Sequence, residues 1–225
     1  MIEFEPLWLT FKLAGVTTLA LLCVGTPIAW WLAHSHSRAK PIIEAITALP
    51  LVLPPTVMGF YFLILFSPNS TIGGWWVEIT DTTLTFSFIG LVFASIVYSL
   101  PFMVQPLQAA FELVGRAPLE VAATLRARPL DRFFTVAAPL ASRGFVTASM
   151  LTFAHTVGEF GVVLMVGGNL PGETRVVSIA IYEHVETLNY TAAHTLSAIL
   201  VGFAFVVLFA VYSVNRRLPF FAQLK

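Results

Sequence analysis

His155 and Glu159 stand four residues apart inside a long apolar run, phenylalanine 145 to valine 166. At that spacing two side chains share one helix face and pair. A histidine beside a carboxylate suggests metal binding or proton transfer. The zinc-protease helix, however, needs two histidines and a glutamate in HExxH order, and that order is absent. Cys23 is the only cysteine, which excludes an intrachain disulfide and a site built on thiolates. The GxxxxGK[ST] phosphate loop is also missing, so this chain brings no such ATPase motif. An ionisable group inside an apolar segment is costly and is by default a functional candidate. Two readings of Glu159 stay open: a structural bond to backbone or a neighbouring helix, or contact with whatever crosses the membrane. Gly158 and Gly161 flank it, and small residues let helices approach closely.

The elements that position this pair follow from composition. The 225 residues are 57% hydrophobic and 11% charged, with a mean hydropathy of +0.85. A soluble domain carries about 25% charged residues, so this is an integral membrane protein. The first charges, Glu3 and Glu5, are acidic, and the apolar run after Lys12 is too long for a signal core. The N-terminus therefore reads as a retained span.

Five spans are predicted, at about 13–33, 44–66, 84–104, 145–166 and 195–214. The first, 21 residues long, covers roughly 31 Å and crosses the hydrocarbon core. Trp30 and Trp31 sit at its end as interfacial anchors. The second contains Pro50, Pro54 and Pro55, so its helix must kink or break. Carbonyls freed in lipid need a neighbouring helix or a water-lined cavity. The break is either a packing kink or part of a pathway. Residues 67–83 read as a loop, from Pro68-Asn69 and Gly73-Gly74. The third span is interrupted by Pro101 and extended as a helix over 105–114. In the second loop, 167–194, residues 176–187 form a short amphipathic helix on the membrane surface.

Lysine and arginine orient the chain. With the N-terminus outside, Arg38, Lys40, Arg116, Arg126, Arg128, Arg132, Arg143, Arg216, Arg217 and Lys225 are cytoplasmic, which is ten of twelve. Only Lys12 and Arg175 fall outside, a strong positive-inside split. The polar island from Glu120 to Gly144 is then cytoplasmic and available to a soluble partner. Pro118 opens a helix there, and Glu120 favours its dipole. Pro118, Val121, Ala122 and Leu125 make one small apolar face, and Pro129 ends the helix at Arg128. A second short helix, from about Asp131, ends at Pro139.

The island resembles the cytoplasmic EAA loop of ABC importer permeases: Glu120-Val121-Ala122, Leu125-Arg126-Ala127, Phe133-Phe134, Ala138-Pro139 and Gly144. Two positions depart from the pattern. Val121 replaces an alanine, and Arg126 replaces a glycine that would permit a left-handed turn. With arginine there, the turn is expected to shift to Arg128-Pro129. Pro50-Leu51-Val52-Leu53-Pro54-Pro55, Gly158-Glu159-Phe160-Gly161 and Pro171-Gly172-Glu173-Thr174-Arg175 extend the likeness over nearly the whole chain. Together they resemble the molybdate permeases of the type I ABC importers, close to the tungstate and sulfate/thiosulfate permeases.

The resemblance implies one all-α integral membrane permease domain over 1–225, of the type I (MetI-like) fold, with five transmembrane helices. The N-terminus is outside, the C-terminus cytoplasmic, and 115–144 form a coupling loop with a coupling helix. The implied partners are a second copy, two ABC ATPase subunits that bind ATP and Mg, and a periplasmic oxyanion-binding protein. No cofactor and no nucleic acid belong to this chain. The setting is a bacterial or archaeal cytoplasmic membrane. Glu120, Val121, Ala122, Leu125, Arg126 and Ala127 would couple to the ATPase. Pro54, Pro55, Thr56, Gly158, Glu159 and Gly161 would line the pathway or gate, with Thr56 an uncharged donor. Pro171, Gly172, Glu173, Thr174 and Arg175 would face the receptor. For Arg175 a surface ion pair with Glu173, Glu183 or Glu186 competes with that role. No residue is assigned to catalysis or to a metal. The rival classes are a membrane enzyme using His155 and Glu159, and a channel that conducts without ATP.

Overall fold

The computed structural model describes residues 4–217. Glu3 and Lys225, both used in the sequence reading, lie outside the described residues. Three helices are long and apolar enough to cross a membrane: α1 (Phe4–His34), α5 (Phe88–Val114) and the apolar part of α12 (Tyr190–Arg217). Two bent pairs raise the number to five if each is one span. The first joins α2 (Lys40–Ala48) and a 3-10 turn (Leu49–Leu51) to α3 (Pro55–Phe66) at 106°. The second joins α9 (Ser142–Val157) to α10 (Gly161–Gly167) at 60°.

The break predicted from Pro50, Pro54 and Pro55 is present. Pro54 is extended at ψ 136° and caps α3, where Pro55 takes the first helical position and loses no internal bond. Pro101 and Pro106, by contrast, do not interrupt α5, which runs unbroken for 27 residues. Neighbouring helices satisfy freed backbone groups inside a bundle.

At the centre, α1 packs along α5, and α9 lies against both. One core cluster joins Leu21, Leu32, Met103, Leu107, Phe111 and Ala148. A second joins Leu13, Met58, Leu91, Val162, Val163 and Val166, so it ties α3 and α10 to α1 and α5. Each leucine-sized side chain buried here contributes about 1.5–3 kcal/mol where the alternative is water. In lipid the gain is chiefly close packing. α12 sits at the periphery, against α11 (Val177–Glu186) and α9.

Three sequence expectations are corrected. Residues 67–83 are not a plain loop, since α4 (Thr71–Thr80) lies within them. Ser70 caps it by accepting from the Gly73 amide at 2.9 Å. Gly73 is required there because a Cβ would fall 2.1 Å from the Ser67 carbonyl oxygen. The island helix, α6 (Ala117–Thr124), stops short of Arg128. The helix expected to end at Pro139 continues: α7 (Pro129–Arg132), a π-turn (Phe133–Ala137) and α8 (Ala138–Leu140) lead through Ala141 into α9. The helix expected over 176–187 is present as α11, packed on its neighbours. Its Val177, Ile179 and Ala180 are buried against α1 and α12.

The turn after α6 is the sharpest difference. It does not shift to Arg128-Pro129. Arg126 itself adopts φ +62°. The Arg126 amide donates to the Ala123 carbonyl at 3.0 Å and the Ala127 amide to the Ala122 carbonyl at 3.1 Å. That is a Schellman ending with arginine in the glycine position. A side chain in the left-handed region costs roughly 1 kcal/mol. Arg126→Gly is therefore expected to stabilise the purified chain by about 0.5–1 kcal/mol, seen as a raised thermal midpoint. A lowered midpoint would mean that the exposed guanidinium contributes more than the backbone loses.

Candidate functional site

The island is held by its aromatic base. Phe133 meets Trp30 edge-on at 5.1 Å, and Trp30 meets Phe111 at the same distance. These contacts bind the loop to the ends of α1 and α5. Arg116, just before α6, donates to the His34 carbonyl at 3.0 Å, so it caps the end of α1. On α6 the face read as single divides. Leu119 and Ala122 are buried against the chain itself, whereas Val121 and Leu125 are 62% and 78% exposed. Glu120 and Arg126 are exposed as well, and Ala127 is half-buried. The outward surface is thus a short apolar ridge with an acid and a base beside it.

The two helix breaks meet. A Cβ on Gly161 would lie 2.8 Å from the Pro55 Cβ, and one on Gly59 would lie 2.6 Å from the Met165 Cβ. Glycine at both places lets α3 seat directly on α10. Pro54, Pro55 and Thr56 are exposed on one side of this junction, and Gly158 is exposed on the other.

Glu159 turns the opposite way, into the bundle, and is 4% exposed. Its Oε2 accepts from Ser95 Oγ at 2.6 Å and its Oε1 from Ser99 Oγ at 2.7 Å. Both serines come from one face of α5. Ser99 Oγ also lies 3.0 Å from Thr156 Oγ1 and 3.0 Å from His155 Nδ1, so one hydroxyl joins all three side chains. The ring stacks on Phe102 at 3.9 Å, and Nδ1 lies 3.6 Å from Glu159 Oε1. The expected His155–Glu159 pairing is present, but Ser99 mediates it. Of the two readings of Glu159, the geometry fits the structural one: its carboxylate bonds a neighbouring helix. Among the described residues no three His, Cys, Asp or Glu side chains group as metal ligands.

Ser95, Ser99 and Ser178 were not singled out from sequence. The i, i+4 serine pair in an otherwise apolar helix was the available signal. Ser178 Oγ donates to the Glu159 carbonyl at 2.5 Å.

The PGETR stretch also divides. Pro171, Gly172 and Glu173 are exposed. Thr174, grouped with them by sequence, is fully buried. Its hydroxyl donates to the Gly167 carbonyl at 2.6 Å and accepts from the Leu170 amide at 3.2 Å. Arg175 pairs with Glu183 at 2.9 Å, and Asn169 donates to the same carboxylate oxygen at 2.7 Å. Glu183 is one of the three acids expected to pair with Arg175. Phe4, Glu5, Pro6, Gly172 and Arg175 line a cavity of about 310 Å³ at this end.

Comparison with known proteins gives this geometry a family. The model of the binding-protein-dependent transport system inner membrane component matches residues 25–219. The molybdenum transport system permease protein ModB of Azotobacter vinelandii is 60% identical over 95% of both chains. That of Escherichia coli K12 is 34% identical over 82% of this chain and 81% of its own. The sulfate transport system permease protein CysT of E. coli K12 is 30% identical over 86% of this chain and 69% of its own. The fold matches the MetNI methionine ABC transporter in its inward-facing form, with TM-score 0.72, 17% identity and coverage of 96% and 95%. It also matches a bacterial ABC transporter that imports alginate, with TM-score 0.76, 15% identity and coverage of 96% and 79%. A bundle of apolar helices with paired breaks and a capped island thus has its place: the chain belongs to the inner membrane components of binding-protein-dependent transport systems, the permeases of ABC transporters.

Proposed function

We propose that this chain is the pore-forming subunit of a molybdate importer in a bacterial cytoplasmic membrane. The observation that carries the substrate is the 60% identity over 95% of both chains to a molybdenum permease. Two copies enclose the pathway, and each α6 seats on one ABC ATPase subunit, which binds ATP and Mg. The charge split along the chain supports a cytoplasmic α6 and outward-facing residues 167–194. A periplasmic molybdate-binding protein docks on that outer face. ATP draws the ATPases together, the two α6 helices follow, and the pore opens outward. Hydrolysis returns it inward.

The site chemistry agrees with a dianion as cargo. Glu159 would repel it, but its charge is turned inward and held by Ser95 and Ser99. Thr56, exposed at the junction of the breaks, offers a neutral hydroxyl. Weak, uncharged donors suit a pathway that must release what it holds. The likeness to a sulfate permease at 30% identity keeps sulfate as the second reading.

Proteoliposomes with the chain and its ATPase, binding protein outside and ATP sealed inside, test both. The expected result is ATP-dependent uptake of labelled molybdate that excess sulfate does not suppress. Preferential sulfate uptake would overturn the substrate, and flux without ATP would overturn the pump.

A further inference from the structure

We propose that Ser178 and Thr174 are positioning residues that clamp α10 at both ends to the outer segment 171–186, so that the two move as one lever. Ser178 Oγ holds the Glu159 carbonyl just before α10 at 2.5 Å. Thr174 Oγ1 holds the Gly167 carbonyl at its last residue, at 2.6 Å. α10 is only seven residues long, too short to keep its place by its own helical bonds. Each of these two carbonyls lies at a helix end or break, where backbone acceptors lack internal partners. The clamp supplies partners from one neighbouring segment.

The lever is stiff along its outer length. Arg175 pairs with Glu183 at 2.9 Å, which ties the loop to the body of α11. It has a fulcrum on α1, because Thr10 Oγ1 accepts from the Val177 amide at 2.8 Å. Its inner face is the α3 junction, where Gly161 and Pro55 leave no room for a Cβ. Its outer tip, Pro171 to Glu173, is exposed. Pressure on the tip is thus delivered to the place where the two broken helices meet. Hydrogen bonds weaken steeply when stretched or bent at the donor, so a displaced partner draws the other with it.

This inference rests on the importer reading and its orientation. The test uses the complete complex in proteoliposomes and compares ATPase activity with and without molybdate-loaded binding protein. Ser178 is half-buried with its hydroxyl on the Glu159 carbonyl, so Ser178→Ala is expected to lower the stimulated rate far more than the basal one. It should cut the stimulation about fivefold, which corresponds to ~1 kcal/mol for one hydrogen bond. Ser178→Thr, which keeps a hydroxyl, should restore it, and adding Thr174→Val to Ser178→Ala should abolish stimulation. Undiminished stimulation in the double variant overturns the clamp. So does a parallel fall of basal and stimulated rates that Ser178→Thr fails to restore. Absence of stimulation in the wild-type complex overturns the importer reading beneath it instead.

Discussion

Leu125→Asp is expected to strip the ATPase from the complex while leaving this chain folded in the membrane. Leu125 caps the end of α6 and is 78% exposed. Its removal therefore costs the fold little, since an exposed side chain has little burial to lose. In a docked complex the same side chain would be the apolar tip of a helix set into a cleft. An aspartate there would be desolvated without a partner, and truncating such anchors costs about 2–4 kcal/mol. That is roughly 30- to 1,000-fold in affinity. Glu120→Ala should weaken docking less, because an exposed carboxylate at the first turn is screened by water. Co-purification with a tagged ATPase measures both. Unchanged recovery after both substitutions would mean that α6 is not the docking element. The inward pair, Leu119 and Ala122, at 9% exposure each, gives the contrast: polar changes there should unfold the island itself.

Much of this surface was legible in the sequence, but not its division. The spacing of Pro118, Val121, Ala122 and Leu125 located the helix, whereas the role proposed for it rests on the resemblance to the EAA loop. The spacing did not show that Ala122 faces inward, because a face that buries against its own chain and one that awaits a partner have the same periodicity. Arg126 was misjudged for a related reason. Propensity argues against a left-handed arginine, yet the Schellman bonds to Ala122 and Ala123 impose it locally. The break at Pro54 and Pro55 was readable because proline acts on the backbone directly. Pro101 and Pro106 carried the same signal with the opposite outcome, since packing of α5 against α1 and α9 decides whether a helix survives. The helix at Thr71–Thr80 was hidden by Gly73-Gly74, which serve a close backbone approach and not a turn. Around Glu159, Ser95 and Ser99 show in sequence only as an i, i+4 polar pair in an apolar helix, and nothing local announces Ser178 on α11.

Those serines set up a second large effect, in which a double substitution does more harm than a triple one. Ser95→Ala with Ser99→Ala leaves the Glu159 carboxylate buried with neither donor. His155 stays close, at 3.6 Å from Oε1, but one ring nitrogen cannot replace two bonds of 2.6 and 2.7 Å. A buried carboxyl group left without its hydrogen-bond donors costs about 1–3 kcal/mol. Adding Glu159→Met removes the stranded polar group and nearly keeps its volume, so most of that loss should return. In detergent the double variant is expected to have the lower thermal midpoint of the two. Transport should follow a different order. The triple variant, though stable, has lost the bonds that fix the α9–α10 break against α5, so its uptake should stay more than about tenfold below wild type, the factor that ~1.4 kcal/mol sets. Polar bonds between membrane helices average only ~0.6 kcal/mol each, so stability alone gives this network little reason to exist. A triple variant that transports like wild type would show that Glu159 merely fills space. One that is stable and idle would show that the carboxylate sets the register of the break, and with it the position of Gly161 against Pro55.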